Sequence, residues 1–267
     1  MNAPERLFLA DVQASQDLRN VPIERVGVRG LKYPLAIRGR QGVQHTVADA
    51  ELTVLLDPSV KGTHMSRFVE SIETWTEPLA PATLTSRLHA MLDRLGARAG
   101  RIALAFPYFI RKRAPVSGVE SLLDYQAKMV AEVEEGQAPR VTMTLTAPVT
   151  SLCPCSKEIS EYGAHNQRSH VTLEVELSDP AALDFEGLAT LAEGAASCEV
   201  YGLLKRPDEK YVTERAYDNP KFVEDLVRDL ALAARTHPAI RRYTVEVENF
   251  ESIHNHSAYA RLTGEAR

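Results

Sequence analysis

Residues 151–170, SLCPCSKEISEYGAHNQRSH, hold the densest set of chemically capable groups in this chain: Cys153, Cys155, Glu158, Glu161, His165 and His170. Thiolate and imidazole are the ligands that a borderline-soft divalent cation selects. The Cys-Pro-Cys spacing is not the Cys-x-x-Cys of a zinc knuckle, and no second cysteine pair follows, so a closed structural zinc site is not expected. Three protein ligands with a fourth position left to water would make an open, catalytic site. The alternative is a buried cysteine and a loop histidine that merely pack.

Other clusters are weaker when taken singly. In KRPDEKYV, residues 205–212, Asp208 and Glu209 fall in a charged connection between expected helices, the ordinary pattern of a solvated loop. In NFESIHNHSAY, residues 249–259, Glu251, His254 and His256 lie where one expected strand ends and the next begins. A His-x-His pair along a strand turns both rings to one face, although with eight histidines in the chain a chance pair is the competing explanation. Glu224 in KFVEDLVRDL is either part of a solvated helix face or a part-buried carboxylate. The second reading follows from the apolar stripe beside it, Phe222, Val223, Leu226 and Leu230, and would require a partner for the carboxylate. KGTHMSRF, residues 61–68, sets Lys61, His64 and Arg67 at a helix start, where cations and helix N-termini attract phosphate. There is no GxxxxGK[ST] loop and no GxGxxG turn, so a nucleotide would have to be held by other means.

The elements that must position these groups occur twice in the same order. Strand-like alternation at 25–37 and 44–57 is followed by helical spacing at 63–75 and 83–96, then by strand patterns at 99–112 and 120–133. The second run has strands at 140–150 and 169–179, helices at 184–197 and 219–236, and strands at 241–252 and 256–263. Thr63 and Thr83 are the expected N-caps, Gly96 a C-terminal stop, and Asn219-Pro220 a helix start. The segment 113–139 is ambiguous, because QAKMVAEVEEG also reads as helix. The expectation is an α+β protein of two ββααββ units, residues 1–138 and 139–267, with antiparallel sheets and helices on one face. Open sheet edges favour assembly with further copies.

Composition agrees with a globular protein: 267 residues, 44% hydrophobic and 25% charged, with a net charge of −5. No nucleic-acid partner is expected from a mildly acidic chain without a basic tract. Nor does any apolar run approach the roughly 18 residues of a membrane span. The opening MNAPERLFLADVQASQD lacks a cationic leader and a continuous apolar segment, so a cytoplasmic location is expected. Three cysteines do not make a disulfide framework.

Taken together, SLCPCSKEIS, GAHNQRSHV, LLKRPDEKYVTE, NPKFVED and ESIHNHSAYA resemble the type IB GTP cyclohydrolases over nearly the whole chain, as do KGTHMSRF and the opening DVQ…RNVPIERVGV. The resemblance implies a tunnelling fold of two tandem units, assembled into barrels as a homotetramer with active sites at subunit interfaces. It implies hydrolysis of GTP at C8, yielding 7,8-dihydroneopterin triphosphate and formate, the entry to folate and in some bacteria to 7-deazaguanine synthesis. By motif, Cys153, His165 and Glu209 are the implied ligands of one divalent ion, whether zinc, manganese or iron. Glu251, His254 and His256 are the implied catalytic partners, with Cys155 beside them. Glu224 is the implied purine anchor, and Lys61, His64 and Arg67 are the expected triphosphate ligands. A nitrile reductase of the same fold, with a cysteine nucleophile and NADPH, and a non-catalytic purine- or pterin-binding module are the alternatives.

Overall fold

The computed structural model describes residues 11–266. The first ten residues, on which much of the reading against a secretory leader rests, lie outside the described residues, as does Arg267. The chain runs β1 (Ile23–Gly39), β2 (Gly42–Leu56), α1 (Met65–Glu73), α2 (Pro81–Leu95), β3 (Gly100–Arg113) and β4 (Glu120–Val133). It continues β5 (Arg140–Leu152), α3 (Pro154–Ile159), β6 (Asn166–Leu177), α4 (Phe185–Gly194), β7 (Cys198–Glu199), α5 (Arg206–Asp218), α6 (Val223–Thr236), β8 (Ile240–Asn249) and β9 (Ala258–Glu265).

The long strands form one antiparallel sheet in the order β1-β2-β3-β4-β5-β6-β8-β9, with β7 pairing β5 off this path. The ambiguous segment resolves as strand. Residues 126–132 of β4 pair with 140–146 of β5, so the sheet is continuous across the middle of the sequence. Period-2 patterning explains why these segments are strands and which face is buried. In β5, Val141, Met143, Leu145, Ala147 and Val149 point into the core, and the threonines between them point away. Helix α2 packs on β3 to β5, α4 on β5 and β6, and α6 on β8 and β9. The helices therefore cover one side of the sheet, as expected of an α+β protein.

Several helix boundaries differ from expectation. His64, not Thr63, precedes α1. Thr83 lies inside α2, where its Oγ1 accepts the Ala80 N–H at 3.1 Å. Gly96 closes α2 in the left-handed conformation at φ 62°, as a glycine does at little cost. Asn219 does not open a helix. It closes α5, and its Nδ2 donates to the Ala196 carbonyl at 2.8 Å. Helix α6 begins three residues after Pro220, where Asp225 accepts the Phe222 N–H at 2.9 Å. Residues 205–212 are not a loop either, since they form the start of α5.

Buried polar contacts tie the later helices to the earlier strands. Glu186 of α4, 7% exposed, accepts the Arg40 N–H at 2.9 Å and the Tyr108 hydroxyl at 3.0 Å. The contact leaves no room at the end of β1, where a Cβ on Gly39 would meet the Tyr108 hydroxyl at 1.8 Å. Asp208 is fully buried and accepts the backbone N–H groups of Val116, Ser117 and Lys205, each at 2.8 Å, and the Ser117 hydroxyl at 2.6 Å. Burial would raise its carboxyl, but these four donors outweigh it and hold the group well below the usual carboxylate range. Far from being a solvated loop residue, Asp208 clamps α5 to the β3–β4 turn.

Candidate functional site

Antiparallel connectivity decides which loops can meet. The closing pairs Gly39↔Gly42, Arg113↔Glu120, Leu152↔Asn166 and Asn249↔Ala258 all lie at one end of the sheet. The β5–β6 and β8–β9 connections, which carry the cysteine and histidine motifs, therefore emerge side by side.

Cys153 sits between β5 and α3, with Pro154 opening the helix. Its Sγ accepts the Ser156 N–H at 3.4 Å, and its own N–H donates to the His165 carbonyl at 3.1 Å. The Ser156 hydroxyl donates to the Cys153 carbonyl and accepts the His165 N–H, both at 3.2 Å. The thiol and imidazole residues are thus fastened to each other through their backbones. His165 Nδ1 lies 2.9 Å from Gln167 Oε1 and 3.3 Å from the Ser252 hydroxyl. Ser252 brings the β8–β9 connection onto the histidine, and with it Glu251, His254 and His256.

Glu251 is half-buried, while His254 and His256 are exposed. The two rings stack with centroids 5.2 Å apart and planes 14° from parallel. They stand in bends rather than on a strand, so it is the loop path and not strand alternation that turns them together. Cys155 is exposed on α3. His170 lies farther along β6, packs edge-on against Phe250 at 4.8 Å, and is pushed below the ordinary histidine range by burial. Cys198 is buried between β5 and α5, and burial pushes its thiol up to about 11.

Glu224 is in the first turn of α6, three residues after Lys221, whose N–H donates to the Leu152 carbonyl at 3.0 Å. It therefore stands at the same end as Cys153. Of the two readings of Glu224 the solvated one holds: Glu224 is exposed, and so is Phe222 at the start of the apolar stripe. The stripe begins instead at Val223, because residue 222 precedes the helix and turns outward.

Glu209 is not gathered with the other two expected ligands. It lies exposed in the first turn of α5, while the other end of α5 is the end that meets α3, where Lys157 Nζ bonds the Tyr217 carbonyl. The helix rise from 209 to 218 is about 13 Å. Among the described residues of one chain, no three His, Cys, Asp or Glu side chains are arranged to hold a metal ion. Cys153 and His165 do fit a soft divalent cation as a pair, one sulfur and one imidazole with its Nε2 unengaged.

Lys61, His64 and Arg67 occupy the start of α1 as expected, but at the opposite end of the sheet. His64 and Arg67 line a cavity of about 260 Å³ with Arg98 and Asp11. His64 Nε2 lies 3.1 Å from Asp11 Oδ2. The Asp11 carboxyl is held below its ordinary range, first by the Ala14 N–H and then by His64. A cavity of about 680 Å³ lies between the tips of β2 and β3, beside His45, Phe109 and Arg111, and includes none of the expected site residues.

Sequence reasoning passed over four residues behind His165: Gln167, Ser151, Ser169 and Asn249. Each is at most 7% exposed. In β6 the inward positions read Gln167, Ser169, Val171, Leu173, Val175 and Leu177. Two polar residues in the core phase of a strand, next to a histidine motif, were the available signal.

One antiparallel sheet with helices on one side makes an α+β fold, and thiol-, imidazole- and carboxylate-bearing loops meet at one end of it. The chain belongs to the type I GTP cyclohydrolase folE2 family, whose model matches residues 9–260. It is 60% identical over 265 residues to GTP cyclohydrolase FolE2 1 of Dechloromonas aromatica strain RCB, covering 99% of each chain. It is 57% identical over 259 residues to GTP cyclohydrolase FolE2 2 of Cupriavidus metallidurans, covering 97% of this chain and 96% of that one. Among solved structures, urate oxidase of Bacillus sp. TB-90 matches with a TM-score of 0.51 at 8% identity, covering 92% of this chain and 100% of that one. That likeness is one of fold alone. Among the described residues no helix is long and apolar enough to cross a membrane.

Proposed function

We infer that this protein hydrolyses GTP at C8, opens the imidazole ring, and rearranges the product to 7,8-dihydroneopterin triphosphate with release of formate, the first step of folate synthesis. One observation carries this reading. The Cys153–His165 pair and the Glu251, His254, His256 loop converge through the Ser252–His165 contact in a chain of this family. The nitrile reductase and the non-catalytic binding module have no observation in their favour.

Cys153, His165 and Glu209 are proposed to hold one divalent ion, zinc, manganese or iron. When bound, the ion supplies Lewis acidity that makes water nucleophilic near neutral pH. Because α5 carries Glu209 away from the other two within one chain, we assign its contribution to a neighbouring copy. His254 or His256 protonates guanine N7, which makes C8 more electrophilic, and Glu251 takes the proton of the attacking water. Such general acid–base assistance contributes on the order of 10²–10⁴-fold per group. Cys155 borders this site. Glu224, exposed and free to meet a ligand, accepts guanine N1–H and N2–H together. Lys61, His64 and Arg67 hold the triphosphate of a substrate bound to another subunit.

This division requires an assembly. The tandem units proposed are residues 1–138 and 139–267, joined through the β4–β5 pairing. Among the described residues, β9 has a strand partner on one side only, and the outer edge of β1 is met only by the Leu79 bridge to Ile37; such edges invite pairing. Edge-to-edge closure of copies into barrels, as a homotetramer located in the cytoplasm, places active sites between subunits. Incubation of the purified protein with GTP and added zinc, manganese or iron, with formate and pterin fluorescence as readouts, tests the function. Metal-dependent release of formate is expected. Binding of GTP without formate would leave only the non-catalytic module, and NADPH-dependent turnover that survives chelation would favour the reductase.

A further inference from the structure

A buried polar chain runs inward from His165. Gln167 Oε1 lies 2.9 Å from His165 Nδ1, and Gln167 Nε2 donates to the Ser151 hydroxyl at 3.0 Å. The Ser151 and Ser169 hydroxyls are 2.9 Å apart. Both serines are fully buried, Gln167 is 7% exposed and Asn249 is 3% exposed. Asn249 stands directly across the β6–β8 ladder from Ser169, and its Oδ1 is a buried acceptor with no donor within bonding distance.

The Gln167 amide nitrogen meets the Ser151 hydroxyl, so the amide oxygen faces His165, and an amide oxygen can only accept. His165 therefore carries its proton on Nδ1 and presents a bare lone pair on Nε2. The opposite amide orientation would put the proton on Nε2 and block that nitrogen. The Ser252 hydroxyl, 3.3 Å from the same Nδ1, can donate or accept and so does not decide the tautomer.

We propose that Gln167, braced by Ser151 and Ser169, is a positioning residue that locks His165 in the Nδ1–H tautomer and reserves Nε2 for a metal ion. The proposal rests on the reading of His165 as a ligand. It adds which nitrogen binds and which residues select it. A partner that fixes the tautomer of a ligating histidine is typically worth 10- to 100-fold in metal affinity.

The test is Zn²⁺ affinity of the intact assembled protein, by competition with a chromophoric chelator, together with histidine-selective ¹⁵N spectra of the metal-stripped protein. Gln167→Leu should weaken Zn²⁺ binding 10- to 100-fold and remove the Nδ1–H signature of His165. Gln167→Glu keeps an acceptor facing Nδ1 and should restore affinity to within a few-fold. Ser169→Ala leaves the site's own side chains in place and should weaken binding in the same direction by a smaller factor, which keeps the test alive if Gln167→Leu does not fold. His165→Ala separates the two levels. Unchanged zinc affinity there would overturn the ligand assignment itself. Loss in His165→Ala with wild-type affinity and an unchanged tautomer in Gln167→Leu would overturn only the role of Gln167.

Discussion

The Ser252 hydroxyl lies 3.3 Å from Nδ1 of His165. The two residues are 87 positions apart, and their contact joins the β5–β6 connection to the β8–β9 connection. The thiol–imidazole pair and the connection that carries the exposed His254–His256 stack thereby adjoin.

The two buried or half-buried cysteines should behave oppositely. Cys153 is half-buried beside His165, whereas burial pushes the Cys198 thiol up to about 11 and keeps it neutral at physiological pH. A neutral thiol is a poor ligand. Cys153→Ala should lose at least nine-tenths of its bound metal and its turnover, on the order of the loss that follows removal of one of three ligands. Cys198→Ala should keep both, at a cost in stability of roughly 1 kcal/mol. Metal analysis of the purified variants checks this, and full occupancy in Cys153→Ala would falsify the ligand assignment.

Glu224 is exposed in the free chain, so its substitution should leave folding stability within about 0.5 kcal/mol. Glu224→Gln replaces one acceptor with a donor facing a guanine N–H. It should lower kcat/KM for GTP about 100-fold or more while bound metal is retained. ATP, which lacks the paired donors on that edge, should be rejected by roughly 10⁴-fold. ITP lacks only the amino group and should fall between them. Steady-state kinetics with the three nucleotides decides the matter; wild-type turnover of GTP by the variant would make Glu224 an ordinary surface residue.

Arg67 lines the α1 cavity at the end of the sheet away from Cys153. If it binds the triphosphate across an interface, Arg67→Ala removes binding common to ground and transition states. KM for GTP should rise about tenfold with little change in kcat. An unchanged KM removes this cluster from the site.

Asp208 offers a test of the α5 clamp with a defined pH signature. Its carboxyl is held well below the usual range, by the Ser117 hydroxyl and three backbone N–H groups acting against burial. A group with a depressed folded-state value contributes stability that is present above its unfolded value of about 3.9 and is lost as pH falls through the folded value. Asp208→Asn should therefore unfold several degrees below wild type across neutral pH, and the gap should narrow below about pH 4. Thermal unfolding of both proteins from pH 7 to pH 3 measures it. A gap independent of pH would show that shape, and not charge, holds the clamp.

Much of this protein was written locally. Alternation in 140–150 and 169–179 made β5 and β6 and set their buried faces, because a strand turns each second side chain the same way. The Cys-Pro-Cys and His-x-His motifs stood out as candidates by residue type, although the His-x-His pair lies in bends and not on a strand. What lay beyond local pattern was placement. Whether residues 205–212 were loop or helix depended on Asp208 finding the β3–β4 turn, a contact 91 residues away. The burial of Glu224 stayed open between two readings because helical periodicity gives the direction of a stripe but not where the helix begins. The separation of Arg67 from His165 follows from which end of an antiparallel sheet each loop closes, and the sequence carries that only as strand count. The partner of the Gln167 amide was the least legible of all. It is the Ser151 hydroxyl, 16 positions earlier in the chain, which only the β5–β6 ladder brings opposite Gln167.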